Sequence, residues 1–421
     1  MRNIYISFLG AGKYQPANYH IDGNRADQAR FVQTAELQLA EDNYFDKIFI
    51  VMTKTSKEKH FEGLKTELKG VGIHEVNGIE ITEDFLPESQ WSWFENILSH
   101  IDHGDELTVD LTHGYRIIPI VFSTALNFLQ KARDITIKSV YYGAYEADKE
   151  LSPIVDMKDF YIINEWSDAV LRLVEDADTG KLSRVAMKDN RGILGEFEDP
   201  AIVEAFDRLT ESLKNVDIHT IRQKASHALD LIDKKEKAAS STGKILLGLV
   251  KDKFVSLISD EPASGRYDFD YFSIQLEVIR LLQDHKLFMQ AYTVMRECIA
   301  SLGLIEMKER AKIYNSVGRK QRQKAEVFVN MLFNDEAKWD FGNKQEMVDT
   351  LLPLYNKFKD AGIIDPLREV SRELIKYRNG FDHAWTANPE AFSDIETKGE
   401  GFHQKLSKMI AMIEKNNLFP A

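Results

Sequence analysis

Strand-like and helix-like patterns alternate over the first 145 or so residues of the chain. Short continuous apolar runs, typical of strands buried on both faces, are separated by segments with helical periodicity. Over these roughly 145 residues the alternation predicts an α/β domain with a parallel sheet and helices on both faces. The predicted strands are residues 4–9, 47–52, 73–76, 107–111 and 135–142, and the predicted helices are residues 28–41, 56–69, 90–101 and 117–132.

The rest of the chain has helical periodicity alone. A polar, turn-rich run at residues 259–268 divides it, so we predict an all-α connector at residues 166–270 and an all-α bundle at residues 271–421. In the bundle, Asp365 is suited to cap a helix that has Pro366 at its first position. The predicted helices of the bundle are residues 272–283, 287–302, 324–333, 345–358, 366–378 and 401–415.

Composition narrows the class of protein. The chain has 421 residues, enough for two or three domains, and its one cysteine, Cys298, excludes an intrachain disulfide. With no signal-peptide pattern at the start, this favours a reducing cytoplasm. No apolar run approaches the roughly 18 residues that a membrane-spanning helix needs, so we expect none.

The formal net charge of −13 argues against a surface that binds nucleic acid in bulk. A local basic channel is still compatible with this charge. Residues 308–324 have seven lysines and arginines and one acid, Glu309, so this stretch either guides an RNA strand or forms a solvated surface. Its basic residues are Lys308, Arg310, Lys312, Arg319, Lys320, Arg322 and Lys324.

Two loops follow predicted strands and therefore lie at the edge of the sheet where α/β proteins bind ligands. The first, at residues 10–14, contains Gly10, Lys13 and Tyr14; it lacks the Walker A spacing and is either a ligand loop or a plain turn.

The second loop, DLTHGYR at residues 110–116, runs from a strand end into a helix. Free amides at a helix N-terminus bind anions, Gly114 permits close approach of the backbone, and Thr112 and Arg116 are able to reach a phosphate. The pattern indicates a nucleotide-like ligand. The alternative is that Asp110 and Thr112 only cap the helix.

A third group of polar residues ends the helix predicted at residues 366–378. It consists of Arg378, Asn379 and His383, and Gly380 is expected to end the helix in a left-handed conformation that returns the imidazole towards the guanidinium. No nucleophilic Ser or Cys and no carboxylate cluster lies nearby in sequence, which favours RNA cleavage by the RNA's own 2′-hydroxyl. No metal ion is required. The alternative is an ordinary helix C-terminus, where cations are favoured.

DLTHGYR resembles the D-x-T-x-G-x-R motif of CARF domains in CRISPR-associated proteins, and FLGAGKY at residues 8–14 matches the position of that family's other ligand loop. The Arg378-Asn379-x3-His383 pattern resembles the R-x4-6-H signature of HEPN nucleases. The whole chain therefore resembles a CARF–HEPN ancillary ribonuclease of a type III CRISPR system.

This resemblance implies a Rossmann-like CARF domain at residues 1–165 and a HEPN bundle at residues 271–421. CARF domains dimerise and hold a cyclic oligoadenylate across the two-fold axis, with the tetra-adenylate favoured on family frequency. The residues that match the two ligand loops are Gly10, Lys13, Tyr14, Thr112, His113, Gly114 and Arg116.

HEPN sites form between two protomers, so the resemblance also implies a homodimer or a higher oligomer. The implied activity is activator-dependent cleavage of single-stranded RNA to 2′,3′-cyclic phosphate and 5′-hydroxyl ends. His383 would transfer protons, Arg378 would stabilise the phosphate and Asn379 would orient it, while Glu297 either orients a residue of the site or is a surface acid. Two other interpretations stay open: a nucleotide sensor whose helical domain binds a partner, and a ring nuclease in which Lys13 or Thr112 helps the ligand cleave itself.

Overall fold

The computed structural model describes most of the chain, and by its contacts the protein divides into two compact units, Met1–Glu165 and Trp166–Ala421. The described residues are 1–40, 45–84, 86–114, 117–145, 147–148, 150–188, 194–195, 197–258, 265–310, 315–339, 341–386 and 393–420.

The described part of the first unit is built on an eight-stranded sheet. Its strands are β1 (Asn3–Leu9), β2 (Tyr19–Ile21), β3 (Asn24–Arg25), β4 (Lys47–Thr53), β5 (Asn77–Ile81), β6 (Glu106–Asp110), β7 (Thr136–Gly143) and β8 (Ser152–Asp156). Their order is β3-β2-β8-β7-β6-β1-β4-β5. From β7 to β5 the strands are parallel, whereas β8 is antiparallel to β7 and β3 is antiparallel to β2.

Helices cover both faces of this sheet, as the alternation of patterns predicted. In β1, Ile4, Ile6 and Phe8 pack against the helices Pro87–Leu98 and Ile117–Ala132, while Tyr5 and Leu9 pack against the helices Val32–Leu39 and Glu62–Gly70. The predicted α/β Rossmann-like class is therefore confirmed. The helices are α1 (Val32–Leu39), α2 (Lys54–Ser56), a π-helical turn (Lys57–Phe61), α3 (Glu62–Gly70), α4 (Pro87–Leu98) and α5 (Ile117–Ala132).

The prediction of a strand at residues 73–76 is wrong, because this segment follows the C-terminal turn of α3 without forming a strand. Gly72 has a positive φ of 87°, and the Ile73 amide donates to Leu68 O at 2.9 Å, the pattern of a Schellman C-cap. The strand that follows is β5. The sequence also did not predict β2, β3 or β8. β2 and β3 have 3 and 2 residues, too few to show a period, and β8 has only two aliphatic residues, Ile154 and Val155.

The described part of the second unit is helical, which confirms the predicted all-α class. None of the described helices combines the length and the apolar character needed to cross a membrane. The helices are α6 (Lys158–Asp176), which begins in the first unit, α7 (Gly180–Lys188), α8 (Pro200–Lys214), α9 (Ile221–Glu236), α10 (Ser241–Phe254), α11 (Phe269–Asp284), α12 (Phe288–Leu302), α13 (Ser316–Phe333), α14 (Gln345–Asp360), α15 (Ile364–Asp382) and α16 (Ile395–Lys415).

Candidate functional site

The two predicted ligand loops meet at the switch point of the sheet. β1 lies between β4 on one side and β6 on the other, so the order of the strands reverses at β1, and the loops after β1 and β6 are neighbours at the carboxyl edge. A cavity of about 330 Å³ opens between them. It is lined by residues 10–14 and 112–114, with Thr53 at the end of β4 and Ile81 at the end of β5 completing the wall.

The loop after β1 is held by the side chain of Tyr14. The Gly10 amide donates to Tyr14 Oη at 2.8 Å, and the Tyr14 ring packs edge-on against His113, with the ring centroids 4.8 Å apart. A Cβ added at Gly10 would lie 3.3 Å from Gly114 N, so the two loops touch. Lys13 is exposed at the cavity. Burial raises the pKa of Tyr14, so its hydroxyl is protonated at neutral pH.

The loop after β6 is held by two hydrogen bonds. The Thr112 amide donates to Asp110 Oδ1 at 2.8 Å, and Thr112 Oγ1 accepts from the Gly143 amide, at the end of the neighbouring β7, at 2.7 Å. Gly114 has a φ of 106°, which a residue with a side chain rarely adopts. Arg116, the last predicted ligand residue, lies outside the described residues.

The His113 imidazole is neutral at neutral pH. Burial lowers its pKa, and the nearby Asp110 carboxylate only partly offsets this effect. Among the described residues that line the cavity, positive charge therefore comes from Lys13 and from the dipoles of loop amides.

The prediction that Gly380 ends its helix is wrong. α15 continues to Asp382, and the left-handed residues are Ala384 and Trp385, with φ of 50° and 61°. A Cβ at Gly380 would lie 2.5 Å from Cζ3 of Trp385, so glycine at this position permits close approach of the indole. The Trp385 amide also donates to Gly380 O at 2.7 Å.

The start of α15 also differs from the prediction. The helix begins at Ile364, after an N-cap residue, Ile363, with no side-chain cap, so Asp365 and Pro366 lie within its first turn. Pro366 is tolerated there because the first amides of a helix have no intrahelical acceptor. The Asp365 carboxylate, in the first turn of α15, still interacts favourably with the positive end of the helix dipole.

α15 does not bring Arg378 and His383 together within one chain. On a continuous helix, five residues rotate the side chain by about 140°, and no hydrogen bond joins the side chains of Arg378, Asn379 and His383 among the described residues. Arg378 lines a small crevice with Arg296, and its Nε lies 3.8 Å from Asp382 Oδ2. Asn379 and His383 are exposed.

An ionic cluster that the sequence did not predict as a unit lies beside Arg378. In it, Arg296 and Glu297 on α12 pair with Arg322 and Glu326 on α13, including an Arg322–Glu326 contact of 2.6 Å. Burial alone would raise the pKa of Glu326, but Arg296, Arg322 and Arg378 outweigh it and lower the pKa. The i, i+4 spacing of Arg322 and Glu326 was the signal in the sequence.

The predicted basic stretch at residues 308–324 is not uniformly available to an RNA strand. Arg322 is paired with glutamates, and the Arg310 guanidinium lies 4.7 Å from the centroid of the Tyr271 ring. Lys308, Arg319 and Lys320 are exposed, and Lys312 lies outside the described residues. In the part of the chain that the structure describes, no group of three or more His, Cys, Asp or Glu residues is arranged to hold a metal ion.

The chain is similar to a curated protein and to a solved structure, although no family model matches its sequence. It is 21% identical, over 331 residues, to a CRISPR-associated protein of Methanocaldococcus jannaschii. The match covers 77% of this chain and 43% of that protein, so the chain spans less than half the length of this relative. The Csm6 protein of Enterococcus italicus, solved with cyclic hexa-2′-fluoro-hexa-dAMP, is similar over 99% of this chain and 95% of its own, with 11% identity and a TM-score of 0.41. The first match supports the resemblance to CRISPR-associated proteins that the motifs indicated.

Proposed function

We propose that this chain is a metal-independent, single-strand endoribonuclease of type III CRISPR defence that a cyclic oligoadenylate activates. The observation that carries the proposal is the meeting of the β1 and β6 loops around one cavity at the switch point of the sheet. The similarity to a CRISPR-associated relative agrees with it.

The activator would bind through residues of both loops. Lys13, which lines the cavity, would contact a phosphate of the ligand, and the lack of side chains at Gly10 and Gly114 would let the ligand approach the backbone closely. A cavity of 330 Å³ is near the lower end of ordinary ligand pockets, about 300–1,000 Å³. One chain would therefore hold part of a cyclic tetra-adenylate, and a second copy would hold the rest.

An apolar face on α4 and α5 supports a second copy in this position. Trp91, Ile120 and Phe128 are 66%, 67% and 50% exposed and line a groove of about 550 Å³. Apolar groups gathered in this way mark interaction surfaces. Because α5 follows the second ligand loop closely, pairing through this face would bring the two cavities near the two-fold axis.

In the proposed reaction, the 2′-oxygen of the RNA attacks the adjacent phosphorus and the 5′-oxygen leaves. The products are a 2′,3′-cyclic phosphate and a 5′-hydroxyl end. His383 would remove the proton from the 2′-hydroxyl or donate one to the leaving oxygen, and Arg378 would stabilise the charge on the phosphate. Asn379 would orient the phosphate. Because α15 separates Arg378 from His383 within one chain, the two would act together across the dimer.

The test is to incubate the purified protein with labelled RNA and each cyclic oligoadenylate in turn, with EDTA present. His383→Ala should abolish cleavage and leave ligand binding intact. His227→Ala, at another exposed histidine, on α9, is the control and should keep full activity. Cleavage by the His383 variant at the wild-type rate would remove the catalytic assignment.

One observation favours a second candidate, a cyclic nucleotide sensor or ring nuclease whose helical unit binds a partner. Arg378 and His383 are not joined within the chain, whereas Lys13 and Thr112 both line the cavity. Chromatography of the ligand after incubation separates these functions. Ligand cleaved without RNA loss indicates the ring nuclease, and intact ligand without RNA loss indicates the sensor.

A further inference from the structure

A pair of buried carboxyl groups lies beneath the second ligand loop. Glu36 on α1 and Asp110 at the end of β6 are both 0% exposed. Tyr5 Oη donates to Glu36 Oε2 at 2.6 Å, and Ser7 Oγ donates to Asp110 Oδ2 at 2.6 Å. Gln33, also on α1, donates to Ser7 Oγ at 3.0 Å. The loop thus rests on a polar network inside the domain.

The contact between the two carboxyl groups requires a proton. Glu36 Oε2 accepts from Tyr5, but its other oxygen, Oε1, is buried and has no hydrogen-bond donor among the described residues. Asp110 lies close enough to raise the pKa of Glu36, and two buried carboxylates this close repel each other unless one of them is protonated. Burial, followed by the Asp110 charge, raises the pKa of Glu36 well above its ordinary value. Tyr5 and Tyr19, the other titratable groups near Glu36, also have raised pKa values and are neutral.

Neither carboxyl group pairs with a lysine or arginine among the described residues. The imidazole of His113 lies close enough to Asp110 to interact with its charge, and burial keeps that imidazole neutral. The Asp110 carboxylate is therefore stabilised by neutral donors. A proton on Glu36 supplies one of them.

Asp110 connects this network to the ligand loop. Its Oδ1 accepts from the Thr112 amide at 2.8 Å, while its Oδ2 accepts from Ser7. The position of the Asp110 carboxylate thus sets where residues 112–114 leave β6, and these residues line the cavity. A change at Glu36 would reach the cavity through Asp110, although Glu36 does not line it.

We infer that Glu36 is a positioning residue whose neutral carboxyl group donates to Asp110 and so fixes residues 112–114 in the geometry that binds the activator. The identity of the activator rests on the proposed function. The effect of Glu36 on the position of residues 112–114 does not depend on the proposed function.

Two variants of similar volume test the inference. Glu36→Gln keeps a neutral group that donates to Asp110 and accepts from Tyr5, whereas Glu36→Met keeps the volume and loses both hydrogen bonds. The first measurement is hydrogen–deuterium exchange of the peptide covering residues 110–118, without ligand. The second is titration with cyclic tetra-adenylate. The third is the infrared band of a protonated carboxyl group at neutral pH.

We expect Glu36→Met to speed exchange of the loop peptide and to weaken binding by about tenfold or more, because a hydrogen bond to a charged group is lost. Glu36→Gln should stay within about twofold of the wild type, since its amide replaces the lost donor. The infrared band should be present in the wild type and absent from both variants. Rescue by Glu36→Gln separates positioning from a general need for glutamate at this site.

Three results would overturn the inference. One is wild-type exchange and binding in Glu36→Met, another is failure of a folded Glu36→Gln, and the third is a wild-type infrared spectrum without the band. If Glu36→Met does not fold, the other variant and the band still decide. If the wild type binds no cyclic oligoadenylate, the proposed function fails, while exchange and the infrared band still test the role of Glu36.

Discussion

Gly380 matters because of the space that it leaves for Trp385. A Cβ at this position would lie 2.5 to 2.8 Å from three atoms of the indole, which is too close for ordinary contact. Gly380→Ala should therefore displace Trp385 and lower the free energy of unfolding by about 1–3 kcal/mol, the usual cost of overpacking. Urea unfolding followed by tryptophan fluorescence measures this change.

Gly401 on α16 is the matched control, because a Cβ there would meet nothing within 4 Å. Gly401→Ala should stabilise the protein by up to about 1 kcal/mol, since alanine favours a helix interior more than glycine does. If the two variants had equal stability, the close approach of Trp385 would not explain Gly380.

Glu36 makes a testable contribution to the pH dependence of stability. Its pKa is raised in the folded protein, so the folded state keeps a proton that the unfolded state loses above about pH 4.5. In the wild type, Glu36 therefore makes its full contribution to the free energy of unfolding below that pH. The contribution falls by about 1.4 kcal/mol per pH unit as the pH rises towards the pKa that Glu36 has in the folded protein.

The Glu36→Gln variant has no titratable group at this position. Its free energy of unfolding should therefore lack the part of the pH dependence that comes from Glu36. Its free energy of unfolding relative to the wild type should therefore increase between about pH 5 and pH 7. Denaturant melts at several pH values measure the difference. A constant difference across this range would show that Glu36 has the same protonation in both states.

At the scale of elements, hydrophobic pattern predicted the parts of the sheet that position the ligand pocket. β1 and β4 are mostly apolar runs, and β6 and β7 carry enough apolar and β-branched residues to be predicted as strands. The loops that follow β1 and β6 were recognised because chain order places them at the carboxyl edge. β8 has only two aliphatic residues, Ile154 and Val155, which are too few to mark a strand in the sequence. Its place in the sheet, between β2 and β7, depends partly on pairing with β2, which is distant in sequence.

The end of α15 shows a different limit of the sequence. A glycine after a helix can adopt the left-handed conformation that ends it, or its missing side chain can leave room for a neighbouring group. The local sequence favours the first interpretation. Only the position of Trp385, five residues later, reveals the second. The cluster of Arg296 and Glu326 was similarly hidden, because α12 and α13 are brought together by packing and not by sequence spacing.

The hydroxyl of Thr112 ties the loop after β6 to the end of β7. Thr112→Val keeps the shape of the side chain but leaves the Gly143 amide without its acceptor, which costs about 1–3 kcal/mol when the group is buried. We expect lower stability and weaker binding of cyclic tetra-adenylate. Thr112→Ser, which keeps the hydroxyl, is the control. Equal affinity of the valine variant and the wild type in a ligand titration would contradict a role for this bond in the pocket.

At the scale of the whole molecule, the proposed function requires two copies, and the α4–α5 face is where we expect the first units to meet. Ile120 on α5 is 67% exposed within this face, and Ile245 on α10 is 68% exposed elsewhere. Ile120→Glu would bury a charge in a dimer interface and should shift the protein towards monomers, whereas Ile245→Glu should not. Light scattering during size-exclusion chromatography measures the mass of each variant.

The same pair of variants links assembly to activity. Because the proposed RNA site needs Arg378 and His383 from two copies, a monomeric Ile120→Glu variant should lose activator-dependent cleavage even though both residues remain intact. Its binding of cyclic tetra-adenylate should also weaken, since one cavity would hold only part of the ring. A monomer that still cleaved RNA at the wild-type rate would mean that one chain suffices, and the continuous α15 would then have to be reconciled with catalysis in a single protomer.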